Sequence, residues 1–412
     1  MAAHPELAVE QDVLDRAYAR ATDPAGEPLI FGRIDQDGES RYVGRCDVVD
    51  DDQMPLVVAW HSRYATPFYA ADPSTVTLKR QFVERAGRLT ALHDEIVDGD
   101  DRTGAAAREQ MERRADTMRA ATATLTAQQY NAIVADPATP VVISGGPGTG
   151  KTQAGLHRAA WLAHRHPEIR AAGIAYVAPS GPLRSRVAAV LSALDADDVI
   201  VTDSVDTAYG HIVVDEAHRL SPDELATLAD RSASLTLLGD LPPPAAPGAT
   251  LPSAHHVTLT TSFRLPNPVA DLLSRQPTGT PVTSVRDGIG RPLIRPTDAA
   301  ELTTDAVRAA SAAASTGFHV AVVVPPGRLD ATRRLADSGQ CVTVAAPAEL
   351  VGLEFDAVAV VAPDEIVAES GRTALHLALS RCTQSLAIFH AEPLPTGLDH
   401  LRPPDPSRLP QL

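Results

Sequence analysis

Eight residues, GGPGTGKT from Gly145 to Thr152, follow the apolar run VVIS and open the stretch TQAGLHRAAWLAH. Their spacing, GxxxxGK[ST], is that of a phosphate-binding loop. Gly145, Gly146, Pro147, Gly148, Thr149 and Gly150 would turn successive backbone N–H groups inward around phosphate oxygens, at a helix N-terminus whose field favours anions. Lys151 is placed to reach the β- and γ-phosphates and Thr152 to hold Mg²⁺, so ATP and Mg²⁺ are the expected ligands. A second group stands in HIVVDEAH, residues 211–218, where an apolar strand ends in two adjacent carboxylates. Asp215 is suited to complete the Mg²⁺ shell, and Glu216 to orient or deprotonate an attacking water. His211 and His218 lack a third ligand at metal spacing, which argues against zinc. Arg264 in TTSFR and Arg381 in ALHLALSRCTQSLAIF are read as following a strand and as lying on a helix before the last strand. An arginine aimed at a γ-phosphate would neutralise charge developing in the transition state. By residue type alone, each reads as a surface or ion-pair residue, and only the family resemblance given below raises it.

These groups need a scaffold. From about residue 125 short apolar strands alternate with helices, the rhythm of parallel sheets covered on both faces in an α/β fold. Strands are expected at 141–144, 174–179, 199–203, 211–215, 234–240 and 256–260. A second series is expected at 320–326, 341–347, 356–363 and 385–392. A Pro-rich stretch at 240–252 and a Pro/Gly-rich connection up to about 300 interrupt them. Before this region, a short helix precedes a small β-rich unit at 29–70, read as two successive hairpins. Residues 76–98 and 105–121 are read as helices. The chain thus divides into an N-terminal β-hairpin and helical region (1–121), a first lobe (122–275), a second lobe (285–400) and a flexible tail (401–412).

Composition narrows the function classes. The 412 residues are 44% hydrophobic and 21% charged, ordinary for a soluble globular protein. No apolar run approaches the ~18 residues of a membrane span, and the N-terminus has no export-signal pattern, so a cytoplasmic protein without a membrane partner is expected. Cys46, Cys341 and Cys382 are widely spaced and read as reduced and unpaired. The net charge of -16 argues against strong general nucleic-acid binding, although it leaves a local basic groove open. Lys79 and Lys151 are the only lysines, which makes the one inside the glycine-rich loop conspicuous.

Taken in order, the motifs resemble the superfamily 1 helicases of the UvrD/Rep-like group, and within it the HelD-type ATPases that bind bacterial RNA polymerase. LTAQQYNAI (125–133) resembles the adenine-recognising Q motif, with Gln129 at its key position. GGPGTGKT and VVDEAH resemble the phosphate loop and the Mg²⁺ and water-activating motif. LLGD (237–240) resembles the sensor strand. In TSFR the resemblance implies that Phe263 stacks on adenine and Arg264 reaches the γ-phosphate. In VGLEFDAVAV it implies that Glu354 contacts the nucleotide sugar, and in ALHLALSRCTQSL that Arg381 is the arginine finger. The set implies two RecA-like P-loop lobes with ATP and Mg²⁺ in the cleft between them. The HelD resemblance rests on residues 31–73, where Trp60 and Pro67-Phe68-Tyr69 match a DWRAP-like string and the PFY after it. Packing against the first lobe is the favoured explanation of these aromatics.

The departures shape the functional expectation. Lys151 and Asp215 lie 64 residues apart and Arg264 and Gly352 88 apart, leaving no room for the subdomains that helicases of this group insert there. The coiled-coil arm of HelD-type proteins has no counterpart in the 28 residues before the β-rich unit. After Gly239 and Asp240 the chain reads Leu241-Pro242-Pro243 where the sensor glutamine is expected, and His218 replaces a second glutamine. The reading is therefore an ATP hydrolase of shortened superfamily 1 type, acting on RNA polymerase, another protein or a nucleic-acid complex. Two alternatives stay open: a single-stranded DNA translocase or 3'-5' helicase, and an ATP-binding switch with little hydrolysis.

Overall fold

The structure is a computed structural model, and it describes residues 5–21, 29–70, 74–85, 87–97, 100–101, 125–239, 254–277, 280–286, 291–336, 342–398 and 401. The helix expected at 105–121, the Pro-rich 240–252, Cys341 and the tail beyond 401 lie outside these residues. The chain divides into two compact units, Met1–Ser144 with Lys151–Leu259 and Gly145–Gly150 with Thr260–Leu412.

The first unit opens with helix α1 (Pro5–Arg20) and strands β1 (Ile30–Gln36), β2 (Glu39–Gly44), β3 (Val48–Val49) and β4 (Pro55–Ala59). The turn at Asp37-Gly38 closes the antiparallel pair β1/β2, and β3/β4 form the second antiparallel pair, so both expected hairpins are present. A short helix α2 (Thr66–Tyr69) follows. The helix expected over 76–98 is instead a third hairpin, β5 (Val76–Arg85) and β6 (Arg88–Val97), which with β7 (Asp100–Asp101) completes a seven-stranded sheet ordered β3-β4-β2-β1-β5-β6-β7. Its charged residues pair across strands and with α1. Arg80 bonds Asp94 at 2.6 Å and Glu10 at 3.1 Å, and Lys79 meets Glu95 at 2.7 Å. Such pairs allow a strand to bury residues that, read singly, look like the polar face of a helix.

Next come α3 (Ala127–Ile133), β8 (Val141–Gly145), α4 (Lys151–Arg165), α5 (Pro167–Ala171), β9 (Ile174–Val177), α6 (Gly181–Ala193), β10 (Ile200–Thr202), β11 (His211–Val214), α7 (Pro222–Asp230), β12 (Leu235–Gly239) and β13 (His255–Leu259). These strands form one sheet in the order β10-β9-β11-β12-β8-β13, with the first five in parallel register. Strands β8, β9, β11 and β12 are buried at every position, as continuous Val/Ile/Leu runs covered on both faces require. Gly155 lets α4 lie close on β12, because a Cβ there would stand 2.3 Å from Leu238 Cδ1. The aromatic string is a packing device within this unit. Trp60 is 2% exposed with its ring edge-on to His157, while Tyr69 stacks on Tyr130 of α3 with centroids 4.8 Å apart.

The second unit carries β14 (Thr261–Pro266), α8 (Asn267–Ser274), β15 (Thr283–Arg286), β16 (Leu293–Pro296), α9 (Leu302–Ala314), β17 (Val320–Val323), α10 (Leu329–Ala336), β18 (Val342–Ala345), β19 (Phe355–Val361), α11 (Pro363–Leu379) and β20 (Cys382–His390). A five-stranded, fully parallel sheet runs β16-β20-β19-β17-β18. The four strands expected by sequence are all in it. Strands β15 and β16 fall in the stretch read as a loose connection and β14 begins just ahead of it, where short, mixed polar sequences carry little apolar periodicity. The protein is thus an α/β chain with several parallel sheets and a β-rich N-terminal region.

Candidate functional site

In the first unit the chemistry gathers where α4 begins. Lys151 and Thr152 form its first turn, directly after the glycine-rich loop, as the motif requires. Asp215 follows β11 and is 5% exposed. Its carboxylate accepts the Tyr176 hydroxyl at 3.0 Å, the Glu216 N–H at 2.9 Å and a hydrogen bond from the Thr152 side chain. Burial, and then the neighbouring Glu216 charge, push the Asp215 carboxyl up from 3.8 to about 6, even though these hydrogen bonds pull the other way. Glu216 is held in the left-handed region at φ 55°, a strained backbone for a non-glycine residue. Its side chain is 27% exposed, with His218 Nδ1 3.5 Å from its Oε2. A buried carboxylate kept ionised only with difficulty, beside a hydroxyl at a helix N-terminus, is an oxygen donor set that fits a hard divalent cation such as Mg²⁺.

Gln129 lies on α3 and is 4% exposed. Its carboxamide oxygen accepts the Thr126 N–H at 3.0 Å, while the Thr126 hydroxyl accepts the Gln129 N–H at 3.1 Å, a reciprocal capping box. The residue that resembles a base reader therefore also fixes the start of its own helix.

In the second unit the loop Gly145–Gly150 is buttressed by β14. The Ser262 hydroxyl donates to Pro147 O at 3.0 Å and the Phe263 N–H to Gly148 O at 3.0 Å, while Thr149 Oγ1 donates to Gly146 O at 2.9 Å. Gly148 has φ 76°, and a Cβ there would meet Ser262 Oγ at 2.6 Å and Arg264 Cβ at 2.7 Å. Two requirements, a left-handed backbone and close approach of β14, thus converge on one glycine.

Arg264 lies within β14 rather than after a strand, and Arg381 lies in the turn after α11 rather than on the helix. The cause is the end of α11 at Leu379, with Ser380 as its C-cap. The two arginines share one neighbourhood. Arg264 donates to Glu354 Oε1 at 2.9 Å and Ser380 O at 3.0 Å, and Arg381 donates to Ser380 Oγ at 3.1 Å and Leu377 O at 3.3 Å. Arg286 reaches the Arg264 carbonyl at 3.1 Å. Burial raises the Cys382 thiol to about 12 although all three guanidinium groups act to lower it. Glu354, which the resemblance places on a nucleotide sugar, is here the carboxylate partner of Arg264.

Three contributors escape a reading of the sequence: Tyr176, Ser262 and Arg158. The signal for Tyr176 is a lone hydroxyl inside the otherwise apolar strand IAYV; for the others, contacts distant in sequence have to be seen.

Compared with known proteins, residues 2–110 match the family model described as the N-terminal domain of the DNA helicase IV HelD. That segment covers α1 and the seven-stranded sheet and ends before the glycine-rich loop. No curated protein matches. Among solved structures, the chain is similar to the PRRSV helicase at 14% identity and TM-score 0.40, covering 64% of this chain and 54% of that one. It is also similar to the arterivirus nonstructural protein 10 helicase, at 14% identity and TM-score 0.39, covering 96% of this chain and 82% of that one. A complex of an arterivirus nonstructural protein 10 helicase with DNA gives 16% identity, TM-score 0.39 and the same coverages. The chain spans about half the length of the first of these.

Proposed function

We propose that the chain is an ATP-hydrolysing motor or remodelling ATPase of the superfamily 1 helicase type. The observation that carries the reading is the Thr152–Asp215–Tyr176 group beside the first turn of α4, where a buried carboxylate is pushed up to about 6 and surrounded by hydrogen-bond donors. Bound Mg²⁺ would supply charge neutralisation and a template for the β- and γ-phosphate oxygens. Thr152 and Asp215 would hold it, the latter directly or through water. Lys151 and the loop N–H groups bind the phosphates, and Glu216 orients the attacking water and takes its proton. Arg264 and Arg381 are the candidates for neutralising charge as the bond from the γ-phosphorus to the departing ADP oxygen breaks. Gln129 and Phe263 are assigned to the base and Glu354 to the sugar.

The matched N-terminal family segment supports a HelD-like role; RNA polymerase or a nucleic-acid complex as the object of the motion rests on the motif resemblance alone. The name of that family, a DNA helicase, favours single-stranded DNA translocation as the second reading. One experiment separates them: the steady-state ATPase rate with Mg²⁺, alone and with single-stranded DNA, single-stranded RNA or core RNA polymerase. Stimulation by polymerase alone supports the remodeller, and stimulation by DNA the translocase. Lys151→Ala should abolish nucleotide binding, and Glu216→Gln should retain binding while lowering the rate by at least ~10²-fold. ATP binding with no turnover above the Glu216→Gln background would falsify the hydrolase and leave an ATP-binding switch.

A further inference from the structure

Arg158, on the second turn of α4, is fully buried, and its acceptors are four carbonyls and a hydroxyl rather than a carboxylate. Nη1 donates to the carbonyls of Ala132 at 3.2 Å, Ile133 at 2.9 Å and Ala135 at 2.9 Å; Nη2 reaches Asp136 O at 3.5 Å. Nε donates to the Thr236 hydroxyl at 2.9 Å. Ala132 and Ile133 are the last residues of α3, and Ala135 and Asp136 lie just past its C-cap Val134, so the fork closes on the helix end, where negative partial charge gathers and carbonyls lack intrahelical donors. Thr236 lies on β12, and its hydroxyl also meets His211 Nε2 at 2.9 Å, on the strand that leads to Asp215 and Glu216.

Burying a guanidinium costs several kcal/mol unless its donors are matched, and burial lowers the Arg158 pKa to about 10. A simple apolar side chain would fill the same space without that cost. What the guanidinium provides is geometry: one rigid fork joins the phosphate-loop helix, the end of the helix that carries Gln129, and strand β12, whose Thr236 in turn meets His211 of β11. Helix α3 has only seven residues, too few to stand alone; Tyr130, Ala132 and Ile133 bury its inner face, and hydrogen bonds fix its two ends. Its N-terminus is fixed by the Gln129 capping box and its C-terminus by Arg158.

We propose that Arg158 is a positioning residue for nucleotide-base selection, holding the Gln129 helix at a fixed place relative to the phosphate-loop helix. The proposal rests on the reading of Gln129 and the phosphate loop given above. It separates two parts of binding. The triphosphate is held by the start of α4 and the loop before it, about two turns from Arg158, while the base is read from α3, whose C-terminal end Arg158 bonds directly.

The test compares affinities for MgATP, MgGTP and Mg-tripolyphosphate in the wild type, Arg158→Met and Arg158→Lys, each in the full chain. The wild type should prefer ATP to GTP. In Arg158→Met that preference should fall roughly tenfold, the scale of a lost charge-assisted hydrogen bond, while tripolyphosphate affinity changes by less than about threefold. Arg158→Lys, which keeps the charge and three donors, should recover part of the preference. A parallel loss for all three ligands means a purely structural arginine and overturns the proposal, as does an unchanged ATP/GTP ratio. Should Arg158→Met fail to fold, Thr236→Val decides: removing the hydroxyl that anchors Nε should also lower the ratio, and an unchanged ratio overturns the proposal. A wild type that binds tripolyphosphate without base preference overturns the proposal and leaves the phosphate loop standing. A wild type that binds none of the three overturns the phosphate-loop reading itself.

Discussion

Replacing Asp215 by asparagine should make the ligand-free protein more stable at neutral and alkaline pH. The folded carboxyl titrates at about 6 against an ordinary 3.8, because burial and Glu216 disfavour its charge. A raised carboxyl means that the folded state binds the proton more tightly than the unfolded chain. Stability from this group is therefore fully present below about pH 4 and is lost as pH rises through about 6. The interval from 3.8 to about 6, at ~1.36 kcal/mol per pH unit, makes the loss about 3 kcal/mol by pH 8. At pH 5 about half of it has been lost. The asparagine of Asp215→Asn carries no charge to bury and keeps acceptor and donor capacity toward Tyr176 and Glu216, at the cost of about 1 kcal/mol for an imperfect hydrogen bond. The net gain at pH 8 is about 2 kcal/mol, or roughly 4–8 °C in Tm if the first unit melts as one domain. Thermal melts of both proteins from pH 5 to 8, in chelator without nucleotide, measure it. The gap should narrow toward pH 5, and adding Mg²⁺ with nucleotide should raise the wild-type Tm more than the variant's. A variant less stable than wild type at pH 8, or a gap that does not change with pH, would refute the argument that this buried charge is only partly compensated by its hydrogen bonds.

Gly148→Ala should weaken triphosphate binding by at least ~10-fold, because the new methyl must fit a left-handed backbone against Ser262 and Arg264; calorimetric titration with MgATP reads it directly. His61 offers an acid-limb prediction. Burial, then the His164 and Arg165 charges, lower His61 to about 3 from 6.5, so the folded state holds it neutral while the unfolded chain takes a proton below about 6.5. Stability should therefore fall as pH drops from 6.5 toward 3. His61→Phe, which keeps a ring stacked on His164 and removes the unpartnered Nδ1, should gain about 2 kcal/mol relative to wild type at pH 5 and markedly less at pH 8. Urea unfolding at the two pH values tests it, and equal gains would mean packing rather than proton linkage.

What can be read from the sequence is whatever is contiguous in it. Strands β8, β11, β12, β17 and β19 announce themselves as short Val/Ile/Leu runs, since a strand buried on both faces has no polar alternation to confuse it. The glycine-rich loop and the Asp-Glu pair are local strings, and the structure puts Thr152 and Asp215 in hydrogen-bonding contact as their types imply. Hairpin β5/β6 reads as a helix because Lys79, Arg80, Gln81, Asp94 and Glu95 are charged or polar yet buried or half-buried, satisfied by partners some 14 residues away. Arg158 is the extreme case. Its neighbours in sequence are ordinary helix residues, and all its acceptors lie more than 20 residues away in the chain. Positions whose role depends on a partner chosen by the tertiary fold cannot be recognised from local periodicity.

The seat of Pro147 and Gly148 on β14 also has a consequence for synthesis. The Ser262 hydroxyl that braces Pro147 lies 115 residues downstream. At ~5–20 residues per second, a ribosome needs on the order of 6–23 s after making the loop before its brace exists. During that interval the nascent chain can build β8, α4 and the strands through β12, yet the glycine loop lacks the contacts that set its shape. On the function proposed above, nucleotide capture would thereby be a late event, and chains stalled before Ser262 should emerge with the helix formed but the glycine loop unshaped.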